Sequence, residues 1–147
     1  MSATGHNCYL SYLRDCAIFA ALNIRLIMGE LKVKRVYLPA EEQDGYRVLI
    51  DRLWPRGISK DKANIDEWDK LLAPSTELRK WFGHQPELFL AFSEKYIGEL
   101  DQNAEAHSFV ERCKALLQQG NVTLLFGAKD ETHNQAVVLK KWMETKL

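Results

Sequence analysis

Within Tyr46-Arg-Val-Leu-Ile-Asp51 the apolar residues run on consecutively from Val48 to Ile50, which is the pattern of a strand buried on both faces. Such strands belong to parallel sheets covered by helices. The run stops within a few residues, because Pro55 lacks an amide donor and Gly57 permits the positive φ of a tight turn. Residues 53 to 59 are therefore read as an ordered loop at a strand end. Upstream, Leu31-Lys-Val-Lys-Arg-Val-Tyr-Leu38 alternates apolar with basic or aromatic residues, the period of a strand with one buried face. The acidic stretch between them closes on Asp44-Gly45, a turn signal.

Helical spacing dominates the centre of the chain. Ser75 can cap a helix that carries Glu77 at its positive end and Leu78, Trp81 and Phe82 on its apolar side, with Gly83 as its stop. Pro86 suits the first turn of a second helix, in which Leu88, Phe89, Phe92, Tyr96 and Leu100 recur every three or four residues. Phe109, Val110, Cys113, Leu116 and Leu117 mark a third, for which Gly120 offers a C-terminal cap. Residues 64 to 73 fit either a strand with irregular ends or a short helix. Val122-Thr-Leu-Leu-Phe126 is a further apolar strand, followed by the loop Gly127-Ala-Lys-Asp-Glu-Thr132 and a last helix with Val138, Leu139, Trp142 and Met143. Strand, loop and helix in this order predict one three-layer α/β/α domain over residues 31 to 147, with a mainly parallel sheet.

Charge and cysteines narrow the function classes. Lys plus Arg and Asp plus Glu number 20 each, so no excess positive field attracts polyanions or anionic membranes. Nucleic acid is accordingly a disfavoured partner. Cys8, Cys16 and Cys113 are an odd number without a C-x-x-C pair, which fits neither a disulfide framework nor a zinc knuckle and points to a reducing cytoplasm. The apolar stretch from Cys16 to Ile24 falls well short of the ~20 residues of a membrane span, and no small-residue cleavage site follows a basic segment. Residues 1 to 30 are read as an N-terminal extension that forms a short amphipathic helix on the outside of the domain. Met28 stands just before the first strand pattern and is the expected translation start.

Three segments carry a resemblance: Asp44-Gly-Tyr-Arg-Val-Leu-Ile-Asp-Arg-Leu-Trp-Pro-Arg-Gly57, the stretch from Leu72 through Pro74, Ser75, Glu77, Leu78, Arg79 and Lys80 to Trp81, and Thr123-Leu-Leu-Phe-Gly-Ala-Lys-Asp130 with His133 and Asn134. From about residue 31 to 147 the chain resembles the YeaO-like family. The resemblance implies a three-layer α/β/α fold in cytosolic bacterial proteins, without an assigned activity. Leu38 departs from the family pattern, which commonly has an acidic residue after the Val-Tyr pair.

In open α/β sheets ligands bind beyond the carboxyl ends of the strands. Two loops are expected to converge there. One brings Asp51, Arg52, Trp54 and Arg56; the other brings Lys129, Asp130, His133 and Asn134 at the start of a helix. Guanidinium groups match phosphate or carboxylate bidentately, so Arg52 and Arg56 are the expected anion clamp, with Trp54 as a stacking surface and Lys129 and Asn134 as further ligand contacts. The competing reading pairs Asp51 with an arginine inside the fold and makes Trp54 a core lid. Asp130 is the candidate general base and His133 its alternate, although Asp130 or Thr132 can equally cap the helix. His84 suits a turn, Arg79 and Lys80 a solvated basic edge, and Cys113 the core. No metal spacing, Walker motif or GxGxxG is present, and no cofactor is expected. These residues describe an enzyme acting on a nucleotide-like or phosphorylated small molecule. A noncatalytic ligand sensor and a sequence-specific DNA-binding regulator are the alternatives.

Overall fold

The strand patterns become one sheet in the computed structural model, which describes residues 29 to 147. Strands β1 (Leu31–Arg35), β2 (Tyr46–Leu49), β3 (Glu67–Trp68) and β4 (Val122–Phe126) lie in the order β1-β4-β2-β3, and every neighbouring pair is parallel. β4 is flanked on both sides, with Val122 opposite both Leu31 and Tyr46, and all of its residues are buried. That environment explains a strand without polar alternation. Helices α1 (Lys60–Ala63), α2 (Thr76–Phe82), α3 (Phe89–Asp101), α4 (Ala104–Leu117) and α5 (Gln135–Glu144) complete an α/β domain with helices on both sides of the sheet. The expected N-terminal helix lies outside the described residues. Among the described residues no helix is long and apolar enough to cross a membrane.

The two faces of the sheet are covered unequally. Val48, Ile50, Val122, Leu124 and Phe126 join Phe92, Tyr96, Leu100, Phe109, Cys113 and Leu139 in the main core. Leu49 and Leu125, one residue out of phase, point to a smaller cluster with Val36, Trp54, Ile58, Ile65 and Trp68. Burying one such leucine contributes about 1.5–3 kcal/mol. The thin second layer comes from the loop after β2 and the segment that carries α1.

Several local signals act as the residues dictate. The Ser75 hydroxyl accepts from the Leu78 amide at 3.2 Å, and Gly83 ends α2 in the left-handed region at φ 55°. Pro86 opens a 3-10 turn, Pro86–Leu88, that runs into α3. Other boundaries differ from expectation. β1 ends at Arg35, because the Leu38 amide turns back onto the Arg35 carbonyl at 3.1 Å. Residues 64 to 73 hold both alternatives in sequence, β3 and then the 3-10 turn Lys70–Leu72. Gly120 is not the cap of α4; Gln118 fills that place at φ −73°, so no left-handed residue is needed there. α1 has no apolar period to announce it and rests on Ser59, whose side chain accepts from Lys62.

The β3 edge is fastened by one arginine. Arg112 of α4 reaches Glu67 at 2.8 Å, Glu105 at 3.0 Å and Asp69 at 3.3 Å. Three carboxylates against one guanidinium leave surplus negative charge. Burial, then the neighbouring Glu105 carboxylate, push Asp69 up to about 6, while its hydrogen bonds hold Glu105 below the ordinary carboxylate value. A folded pKa above the unfolded one means that the folded state binds more protons in between. The Asp69 contribution therefore favours folding at low pH and is lost as pH rises from about 4 to about 6. Urea unfolding across that window should show the corresponding slope, and Asp69→Asn should flatten it. An unchanged slope in the variant would locate the titration elsewhere.

Candidate functional site

The carboxyl ends of β2 and β4 meet through one side chain. Asp51, just past β2, accepts the Gly127 amide at 2.8 Å on Oδ2 and the Gln135 side-chain amide on Oδ1. Gly127 follows β4 and Gln135 opens α5, so this carboxylate ties the two strand ends to the first turn of the last helix. A Cβ on Gly127 would lie 3.0 Å from Asp51 Oδ2, which is why glycine suits that close approach. The Asp51 carbonyl also accepts the Trp68 indole at 2.8 Å. Burial pushes the Asp51 carboxyl above the ordinary carboxylate value, against the opposing effects of the Gly127 and Gln135 hydrogen bonds and of the Arg79 and His84 charges.

Asp51 lines a cavity of about 430 Å³ beyond these strand ends, of the size that takes a small ligand. Its walls are largely apolar: Trp54 and Pro55 from the loop after β2, Ala73 and Pro74 before α2, Phe82, and Phe92 from α3. Phe82 and Phe92 stack at 4.2 Å between centroids. The cations Arg52, Arg56 and Arg79 and the imidazole of His84 also line it. Among them Arg56, Arg79 and His84 are exposed and form its rim. His84 adopts φ 58° just after Gly83, a left-handed pair that turns its ring back over α2.

The first expected loop thus delivers its residues to one place, in unequal roles. The Nη2 of Arg52 reaches the Pro74 carbonyl at 3.2 Å and the Ala73 carbonyl at 3.5 Å, while its Nε is buried without a hydrogen-bond partner among the described residues. Trp54 donates its indole N–H to the Ile58 carbonyl at 2.6 Å and packs edge-on to Trp68, so it is wall and core at once. The Arg56 backbone carbonyl accepts the Tyr37 hydroxyl at 3.0 Å.

The second loop approaches the cavity through Gly127, Ala128 and Gln135; Lys129, Asp130, His133 and Asn134 do not line it. They form a turn closed on itself. Asp130 Oδ1 accepts the amides of Thr132 and His133 at 2.9 Å and 3.0 Å, and Oδ2 pairs with His133 Nδ1 at 2.8 Å. Those amides, that of Thr132 foremost, hold the Asp130 carboxyl far below the usual range. Asn134 is buried, donates to the Asp130 carbonyl and caps α5 by accepting from Val137. The His133 ring stands edge-on to Phe89, and Lys129 is exposed.

Arg79, His84, Gln135 and Gly127 line the cavity; Arg79 is at the same time exposed and His84 lies in the turn after α2, as the sequence suggests for each. A signal for Gln135 existed in principle, since it follows the capping asparagine directly and so lies beside the strand end. Among the described residues no group of three or more His, Cys, Asp or Glu could hold a metal ion.

A family model described as "Inactive DUF488-N3 subclade" matches residues 30–147. The chain is 45% identical over 115 residues to the Uncharacterized protein YeaO of Escherichia coli (strain K12), covering 78% of this chain and 97% of that protein. An uncharacterized protein of Mycobacterium tuberculosis is 49% identical over 74 residues, covering 50% of this chain and 63% of that protein. No solved structure is a significant match.

Proposed function

The chain belongs to the YeaO-like family that its model describes as an inactive DUF488-N3 subclade, and from that premise we propose that it is a noncatalytic binding protein for a small, nucleotide-like anion. The observation that carries this reading is the cavity at the β2 and β4 ends, with apolar walls and a rim of Arg56, Arg79 and His84. Guanidinium groups on a low-dielectric wall suit phosphate or carboxylate recognition. Arg52 supports the wall by holding the carbonyls before α2. The description "inactive" favours binding over turnover. So does the occupation of Asp130 by its own turn, which leaves the expected general base outside the cavity. The same reading puts the protein in the cytoplasm, where Cys113 stays a buried free thiol that burial pushes up to about 12.

Thermal unfolding of the full chain with nucleotides, nucleosides, sugar phosphates and duplex DNA tests this. A nucleotide at a hundred times its Kd should stabilise by about 2.7 kcal/mol, and Arg79→Ala should remove most of the shift while leaving the unliganded Tm nearly unchanged, since Arg79 is exposed. Stabilisation by duplex DNA alone, indifferent to Arg79, would replace this reading with the DNA-binding one. Turnover of the stabilising nucleotide would replace it with the enzymatic one.

A further inference from the structure

We propose that the ligand is a nucleotide whose base carries an exocyclic amino group, read by the Asp51 carboxyl that lines the cavity; this rests on the anion-pocket reading above.

The cavity is chemically lopsided. Asp51 is the one acidic residue among the described residues that line it, set against three arginines. A ligand that is only anionic would satisfy the rim and meet repulsion at Asp51. Each Asp51 oxygen already accepts one protein donor, Gly127 on Oδ2 and Gln135 on Oδ1. An ionised carboxylate has about four acceptor sites, so each oxygen keeps capacity for another N–H. Those two protein donors also fix the plane of the carboxylate, so little ordering is left for a ligand to impose.

Three requirements then fall on one molecule. It needs an anion for the exposed cations, a flat apolar body for the walls around Phe92, Pro74 and Trp54, and an N–H donor at the Asp51 end. Nucleoside monophosphates with amino-bearing bases meet all three. Carboxylates accept from the cytosine N4 amino group, a pairing that discriminates by roughly 5- to 150-fold, and the adenine N6 group offers the same donor. Uracil presents a single N–H between two carbonyl oxygens, whose lone pairs would face the carboxylate. Ribose 5-phosphate has the anion and lacks the ring.

Isothermal titration calorimetry of the full chain with CMP, AMP, UMP and ribose 5-phosphate decides the matter. CMP and AMP should bind at least about fivefold tighter than UMP or ribose 5-phosphate, the lower end of what one base-edge pairing supplies. Asp51→Asn should narrow or invert the ratio of CMP to UMP affinities, because an amide can turn a donor toward a carbonyl. If that variant does not fold, the ratio in the unmodified protein decides alone. A ratio below about fivefold, with both ligands weakened by Arg79→Ala, overturns the base assignment and leaves the anion pocket standing. Absence of phosphate-ligand binding, or binding indifferent to Arg79, overturns both.

Discussion

Asp44→Ala is expected to destabilise the domain by about 3–5 kcal/mol, the usual loss when one partner of a buried ion pair is removed. Asp44 is 1% exposed and Arg47 4%, and the carboxylate binds Arg47, Lys34 at 3.1 Å and the Glu41 amide at 3.0 Å. Burial alone would raise the Asp44 pKa, yet the Glu41 amide and the two cations outweigh it and hold the group below its ordinary value. Without the carboxylate the guanidinium stays buried, because it also donates to the carbonyls of Asn64 and Ala63 at 2.9 Å and 3.2 Å. A depressed folded pKa gives stability that is present above the unfolded value and is lost as pH falls through the folded one. Wild type and variant should therefore converge in strong acid. Urea unfolding at neutral pH measures the gap, and an Asp44→Leu, Arg47→Met double variant should recover most of it, since apolar replacement of a buried pair is often neutral. A loss under about 1 kcal/mol would mean that water shares the pair.

This pair also marks the limit of what the sequence discloses. The parallel sheet was legible because burial on two faces writes itself as Val48-Leu-Ile50 and Val122-Thr-Leu-Leu-Phe126, and α2 was legible because Ser75 and Gly83 act through their own backbone neighbours. Arg47 and Thr123 interrupt those strands as though they faced solvent, yet both are buried, satisfied by residues that arrive from elsewhere in the chain. The same reason divides the site. Arg52, Trp54 and Arg56 reach the cavity because they continue β2, whose end point was readable. Arg79 and His84 come to it through the packing of α2, which no local pattern specifies, and Gln135 as the residue that follows the capping Asn134. The Lys129-to-Asn134 segment was open to two readings, groups facing the crevice or a capping turn. Its hydrogen bonds close locally, which is what Asp and Asn do whenever a turn offers them amides.

Phe92→Ala should cost about 3–5 kcal/mol, the range for removing a buried aromatic ring, and should disturb binding as well. Phe92 is 2% exposed, stacks on Phe82 at 4.2 Å and lies 5.8 Å from Tyr96. Phe92 also lines the cavity at the strand ends, so the space left by truncation opens into an existing cavity rather than forming a sealed void. Water or ligand can enter it, which argues for the lower end of the range, about 3 kcal/mol. Leu139→Ala provides the contrast. Leu139 is fully buried in the same core and does not line the cavity, so its loss should act on stability alone. Equilibrium unfolding gives the first readout for each variant, and calorimetric affinity at a temperature where both remain folded gives the second. If Phe92 is ligand wall as well as core, its truncation weakens nucleotide binding while Leu139→Ala does not. Equal affinities in the two variants would reduce Phe92 to core support and move the ring-binding surface toward Trp54 and Pro74, across the same cavity.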